Sequence, residues 1–217
     1  MPIILSNDGD LHPQVVEYLD RKKAENPNYR VLDVGGYEMA WAGKWTTAYL
    51  DIQGGEYVGD ICYQETWDQF GDKEWDFVVC THTLEDVRDP VTAIRNILRV
   101  AKAGFVAMPH KHSELSNIAL QRHWVGYCHH RWVFTLAKDV LRFAAKWPVT
   151  SALCEEAKPG PSFLPWLRPS MGQIGELSFL WEGEFEYELI RGDFAGKATD
   201  GCDGILRMYR DEFAEGI

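Results

Sequence analysis

Apolar and polar positions along the first half of the chain follow two alternating periods. Leu11, Val15, Tyr18 and Leu19 recur at helical spacing, with Gln14, Glu17, Asp20, Arg21 and Lys22 on the opposite side. That pattern predicts an amphipathic helix over residues 11–25 covering a sheet. Asn26-Pro27-Asn28 breaks it, and the apolar run Val31-Leu32-Val34, carrying Asp33 and ending on Gly35-Gly36, reads as a buried strand running into a tight turn. A short helix over 37–43, stopped by Gly43, a strand over 46–51, a short strand over 57–60 and a helix over 64–70 follow. Trp75 to Cys80 is a further buried strand, Pro90 to Lys102 a helix with its stripe at Val91, Ile94, Leu98 and Ala101, and Gly104 to Met108 the fifth strand.

This strand and helix alternation predicts an α/β fold with a Rossmann-like, doubly wound, mostly parallel seven-stranded sheet and helices on both faces. Beyond Pro109 the periodicity weakens. Leu136, Val140, Phe143, Ala144 and Trp147 predict a helix over 135–147, four of the ten prolines between residues 159 and 169 predict a long irregular loop over 158–173, and 176–190 and 204–210 read as strands completing the sheet edge. The expected organisation is a single domain over 1–217: a ligand-binding half over 1–110, loops and a helix over 111–175, and closing strands over 176–217.

Composition narrows the function. A length of 217 residues with 46% hydrophobic content supports one substantial core. Five scattered cysteines without a C-x-x-C pair indicate neither a disulfide framework nor a zinc knuckle, and fit a reducing, cytoplasmic compartment. The chain shows neither a signal-peptide pattern nor a long apolar span, so a soluble protein without a membrane partner is expected. A net charge of -11 opposes a phosphate backbone, which argues for a small-molecule partner and against nucleic acid. The exception is residues 110–132, where five of the seven histidines stand with Lys111, Arg122 and Arg131 against one acid, Glu114.

Chemistry-bearing residues gather where strands end. Asp33 is an acid in an apolar strand, which demands hydrogen-bonding partners. His82 and His110 follow the fourth and fifth strands, where the carboxyl edge of an open sheet binds ligands, and each can titrate near neutrality. Lys111, His112, His129, His130, Arg131 and Trp132 are the candidate substrate contacts, with Lys111 and Arg131 able to hold a carboxylate or phosphate, or else to stand on a solvated surface. Trp124, Tyr127, Trp132, Phe163 and Trp166 can wall a pocket or simply build core. His110, His112, His123, His129 and His130 offer imidazoles to a metal, but their spacing fits no standard zinc pattern, and no metal is assigned. Glu85 reads as a cap for the helix that follows or as a loop-backbone contact, with catalysis the less favoured role.

Val31-Leu-Asp-Val-Gly-Gly36, Asp51 eighteen positions after Asp33, Gly59-Asp60-Ile61, Phe77-Val-Val-Cys-Thr-His-Thr-Leu-Glu-Asp86, Asp89-Pro90 and Ile97-Leu-Arg-Val-Ala-Lys-Ala-Gly104 together resemble the class I S-adenosylmethionine-dependent methyltransferases over about residues 29–110. The resemblance implies that Asp33, Gly35 and Gly36 surround the methionine part of the cofactor and that Asp51, with Ile52 beside it, takes the ribose. It also implies Asp60 and Ile61 at the adenine, and Thr81 and His82 beside the donor. The family usually shows D-x-G-x-G-x-G; here Tyr37 and Glu38 stand where the later glycines begin.

The reading is a methyltransferase using S-adenosylmethionine on a small polar acceptor, oxygen slightly favoured, with His82 and His110 as candidate catalytic bases. Two alternatives stay open: a non-catalytic binding protein of the same fold with a degenerate glycine turn, and a metal-dependent hydrolase using the histidine-rich segment.

Overall fold

The computed structural model describes residues 3–4, 13–37, 43–114, 127, 129–137, 139–146 and 176–190. Contacts divide the chain into two compact units, one of residues 1–108 with 178–185, the other of 109–177 with 186–217.

The first unit is built on parallel strands β2 (Val31–Val34), β3 (Ala48–Asp51), β4 (Tyr57–Val58), β5 (Phe77–Thr81) and β6 (Ala103–Pro109). With β1 (Ile3–Ile4) and β9 (Glu176–Glu182), which pair antiparallel, they form one sheet in the order β1-β9-β6-β5-β2-β3-β4. The expected α/β class with a mostly parallel sheet is therefore what forms. The first and last parts of this sheet were read differently in the sequence: Ile3–Ile4 supplies a strand the pattern did not signal. The run 176–190 splits at Gly183, whose φ of 77° turns the chain out of β9.

Helix α1 (Pro13–Glu25) forms because Val15, Tyr18 and Leu19 share a stripe, with Pro13 tolerated at the first turn and Lys22 and Lys23 in the last. That stripe is buried with Val31, Phe77, Val79, Ala103, Phe105 and Ala107, alternate residues of three adjacent strands and therefore one face of the sheet. All five residues of β5 are buried, as a central parallel strand requires. Helix α3 (Pro90–Val100) starts where Asp89 caps it: Asp89 Oδ1 accepts from Thr92 N at 3.1 Å and Oδ2 from Thr92 Oγ1 at 2.7 Å. At its other end Lys73 Nζ donates to the carbonyls of Leu98 and Ala101, at 2.7 and 3.0 Å. Between them α2 (Gln64–Trp67) is short, and Arg99 ties it to α3 by donating to the Trp67 and Phe70 carbonyls.

At the amino ends of the strands a cavity of about 250 Å³ is lined by Tyr18, Lys22, Tyr29, Asp76, Lys102, Ala103 and Glu182. Its polar groups largely satisfy one another: Tyr18 Oη donates to Glu182 Oε1 at 2.8 Å, and Lys102 Nζ meets Asp76 Oδ1 at 2.6 Å. Burial, followed by Tyr29 and Glu182, pushes the Tyr18 phenol far up from its ordinary value.

The second unit contains α4 (Lys111–Glu114), β7 (Trp132–Ala137), β8 (Val140–Ala145) and β10 (Glu186–Leu189), in a sheet ordered β10-β8-β7. The helix expected over 135–147 is a hairpin instead. Leu136, Val140, Phe143 and Ala144 fit helical spacing, but Leu141 and Phe143 also alternate with Arg142, and Val133 to Thr135 is a β-branched and aromatic run. Asp139, at φ 63°, forms the turn, and cross-strand pairing from Trp132↔Ala145 to Ala137↔Val140 decides the outcome. β10 pairs parallel with β8 rather than closing the larger sheet. The proline-rich loop over 158–173 and the strand expected over 204–210 lie outside the described residues.

Replacing Asp89 by Ala removes the α3 cap. The expected cost is about 1 kcal/mol, read as a lower denaturation midpoint at unchanged slope.

Candidate functional site

From β2 the chain runs to β3 and β4 on one side, then returns to β5 and β6 on the other. The carboxyl ends of β2 and β5 are thus the switch point of the sheet, where an open α/β fold leaves room for a ligand. Gly35-Gly36-Tyr37 leaves β2 here, and His82-Thr83-Leu84-Glu85 leaves β5.

The two glycines are required by side chains of the protein itself. Gly35 has φ 79°, and a Cβ there would lie 2.3 Å from Thr83 Oγ1; on Gly36 it would lie 2.3 Å from Asp33 Oδ1. Gly35 N donates to the Leu50 carbonyl at 2.9 Å, which fixes the turn to β3. Thr83 Oγ1 faces the Thr81 and Val34 carbonyls at 3.1 and 3.4 Å, clamping the two strand ends together. Asp33 is fully buried, in register with Tyr49 and Val79, its carboxylate against Gly36.

His82 stands in the left-handed region at φ 50°, held by its N–H donating to the Ala107 carbonyl at 2.9 Å. Its Nδ1 lies 3.4 Å from Glu85 Oε1; the His82 side chain is 30% exposed and that of Glu85 is fully buried. Glu85 therefore does not cap α3, a task Asp89 performs. Between the acids, Cys80 is fully buried, and burial, followed by the charges of Glu85 and Asp33, pushes its thiol far up. Thr81 is 4% exposed, and its Oγ1 has no hydrogen-bond partner among the described residues.

At the end of β3, Asp51 Oδ1 accepts from Gln53 N at 2.9 Å and Oδ2 from Tyr37 N at 3.3 Å. The carboxylate is oriented by both turns and keeps lone pairs for hydroxyl donors. Ile52 beside it is 66% exposed, an apolar surface next to an acceptor. Tyr37 turns its ring onto Tyr49, at 5.7 Å between centroids, and over Gly54, whose missing Cβ would lie 2.6 Å from it. Glu38 lies outside the described residues, as do residues 39–42 of the short helix expected over 37–43; Gly43 opens a 3-10 turn, Gly43–Trp45.

Asp60 is already engaged: Oδ1 accepts from Cys62 N at 2.8 Å and Oδ2 from Arg88 at 3.1 Å. Ile61 is core, 6% exposed, with its carbonyl taken by Trp67 Nε1 at 2.9 Å. Of the two isoleucines named for the cofactor, Ile52 is the exposed one.

The histidine-rich segment falls in the second unit. His110 bridges to Phe134 on β7, and His112 lies in α4. Lys111 is fully buried, so it is not the surface cation its sequence suggests. His130 Nδ1 meets Glu114 Oε1 at 2.5 Å; Lys146 donates to Glu114 Oε2 and, at 2.6 Å, to the Tyr127 carbonyl. Glu114 and Lys146 were not among the candidates; the signal for Glu114 was its standing as the single acid in a basic segment. His129 and Arg131 are exposed, and Trp132 meets Phe143 edge-on at 5.8 Å. His123, Trp124, Phe163 and Trp166 lie outside the described residues.

Residues 50–115 match the family model described as methionine biosynthesis protein MetW. Comparison with curated proteins finds no match. Among solved structures, an S-adenosylmethionine-dependent methyltransferase from Mesorhizobium loti is 12% identical over 74% of this chain and 95% of its own, with a TM-score of 0.37. A putative methyltransferase in complex with the Trm112 methyltransferase activator of Haloferax volcanii is 14% identical over 83% and 99%, with a TM-score of 0.38. YcgJ of Bacillus subtilis is 14% identical over 46% of this chain, with a TM-score of 0.30, and the match spans 52% of its length. Likeness at this level gives no residue its role. Over residues 50–115 the chain is thus similar to that model, a stretch that carries β4, α2, β5, α3 and β6.

Gly35→Ala should cost more than the ordinary penalty of about 1 kcal/mol for a left-handed alanine, because the new methyl meets Thr83. Adding Thr83→Ala should restore part of the loss. A double-mutant cycle by denaturant unfolding measures the coupling, expected at about 0.5–3 kcal/mol.

Proposed function

We propose that the chain transfers a methyl group from S-adenosylmethionine to a small polar acceptor, with oxygen favoured as the acceptor atom. The observation that carries this reading is the set at the switch point: buried Asp33 against Gly36, Asp51 held by Tyr37 N and Gln53 N beside exposed Ile52, and left-handed His82 beside buried Glu85. The donor set fits the cofactor. Carboxylates match its ammonium and ribose hydroxyls, an apolar side chain matches its flat base, and negative charge suits a cationic sulfonium.

In this reading Asp51 holds the ribose, Ile52 covers the base, and Asp33 with the Gly35-Gly36 turn shapes the methionine end. Asp60 and Ile61 stand on the adenine side, while Thr81 and His82 flank the donor. When bound, S-adenosylmethionine supplies the electrophilic methyl; alignment, exclusion of water and proton removal fall to the chain. His82 is the proposed base, partly exposed and close to the carboxyl edge. His110 is the second candidate. Lys111, His112, His129, His130, Arg131 and Trp132 are the proposed acceptor contacts; the acceptor is a small molecule.

Tyr37 favours a ligand-binding turn, because its ring lies on Tyr49 and Gly54. Titration calorimetry with S-adenosylmethionine and with its demethylated product tests the reading. Both should bind, and Asp51→Ala should weaken the product about 10- to 100-fold by removing charge-assisted hydrogen bonds. Absence of heat with either ligand on the intact chain would end it.

A further inference from the structure

We propose that the cavity at the amino ends of the strands is a second small-molecule site, and that it takes a free α-amino acid with an apolar side chain. The proposal is independent of the methyl-transfer reading, because Tyr29, Asp76 and Lys102 stand before β2, β5 and β6, at the ends opposite to the switch point.

Three observations carry it. First, the cavity of about 250 Å³ lies between elements tied to one another around it. Arg30 N donates to Asp76 Oδ2 at 2.9 Å, which joins the approaches to β2 and β5, and Gly183 N donates to the Lys102 carbonyl at 2.8 Å, which joins the end of β9 to the start of β6. Ala103, buried at the start of β6, contributes only a methyl group, which leaves the space open. Its volume lies below the range of drug-sized ligands and suits a molecule the size of an amino acid.

Second, the bonds of the walls leave one charge of each sign facing the cavity. Asp76 and Lys102 pair with each other at 2.6 Å. Glu182 gives Oε1 to the Tyr18 hydroxyl at 2.8 Å and keeps Oε2 for another donor. Burial pushes the Tyr18 phenol far up, so it stays a donor to Glu182. Lys22 meets no carboxylate among the described residues; its ammonium stands over the Tyr18 ring, 5.3 Å from the centroid. An ammonium and a carboxylate that line one cavity without pairing suit a ligand carrying the two opposite charges, its carboxylate on Lys22 and its ammonium on Glu182. The two lysines and two acids of the walls cancel, so a zwitterion enters without a surplus charge, whereas a lone anion or cation brings one.

Third, the surface between these charges is aromatic. Tyr18 and Tyr29 are buried, and their hydroxyls are engaged, that of Tyr29 with the Asp76 carbonyl at 3.3 Å. They present rings beside the Ala103 methyl, a surface for an apolar side chain. Lys22 and Glu182 are both reached by water, so the affinity is expected to be modest.

The test is an NMR titration of the full chain, labelled with carbon-13 at its alanine methyls, with L-leucine. Ala103→Ser identifies the Ala103 signal by its loss. That signal should shift and saturate with a Kd of about 1 mM or below. Leucine without its ammonium is 4-methylpentanoate, and leucine without its carboxylate is 3-methylbutylamine. Each should bind at least about 10-fold more weakly, because each leaves one wall charge unanswered. Lys22→Gln, and Glu182→Gln, which keeps an acceptor for Tyr18, should each weaken leucine about 10-fold. The demethylated product of S-adenosylmethionine should not displace leucine. Absence of a saturable Ala103 shift overturns the proposal, as does equal binding of the three compounds by the parent chain, whether or not the variants fold. So does parental affinity for leucine in either charge variant, or displacement of leucine by the demethylated product.

Discussion

The close approach of β2 and β5 at their carboxyl ends governs the first unit. Thr83 faces carbonyls of both strands, and it can do so only because Gly35 has no Cβ and takes φ 79°. The next residue repeats the device, since Gly36 leaves room for the Asp33 carboxylate. Both glycines are thus consumed in bringing polar groups of the protein together where the sheet opens. Any ligand in that opening meets a surface shaped by side chains already locked against main chain, which is the condition for a preorganised site.

Electrostatics follow from this packing. Asp33 and Glu85 are both fully buried near Cys80, whose thiol they help keep protonated. Asp51 differs, being oriented by two backbone N–H groups and still reached by solvent. The same edge therefore carries buried acids beneath it and a partly exposed acid at its rim.

Much of this was legible in the sequence where one period dominated. The stripe of α1, the buried runs of β2, β5 and β6 and the Asp89-Pro90 start of α3 follow from patterning and capping chemistry, and Asp33 stood out as an acid in an apolar run. Residues 132–145 were misread because helical spacing and strand alternation select overlapping positions there, and only pairing between Trp132 and Ala145 resolves them. Ile61 and Asp60 lay in a recognisable motif, yet tertiary partners Trp67 and Arg88 decide what their groups can do. The His82 and Glu85 pair was present at a spacing of three, but its significance comes from the burial of Glu85 and the left-handed backbone, neither of which a residue string displays.

The histidine-rich segment shows how local charge misleads when burial is unknown. Read as sequence, residues 110–132 form a basic surface open to an anion. In the folded unit Lys111 is buried, and Glu114 draws His130 and Lys146 into one network that also takes the Tyr127 carbonyl. Burying such groups is costly unless each is matched, and removing one partner leaves the others stranded. The single acid of the segment therefore organises its described part, while Arg131 stays exposed just before β7. Among the described residues the segment thus has a fixed polar interior, which its count of positive charges does not reveal.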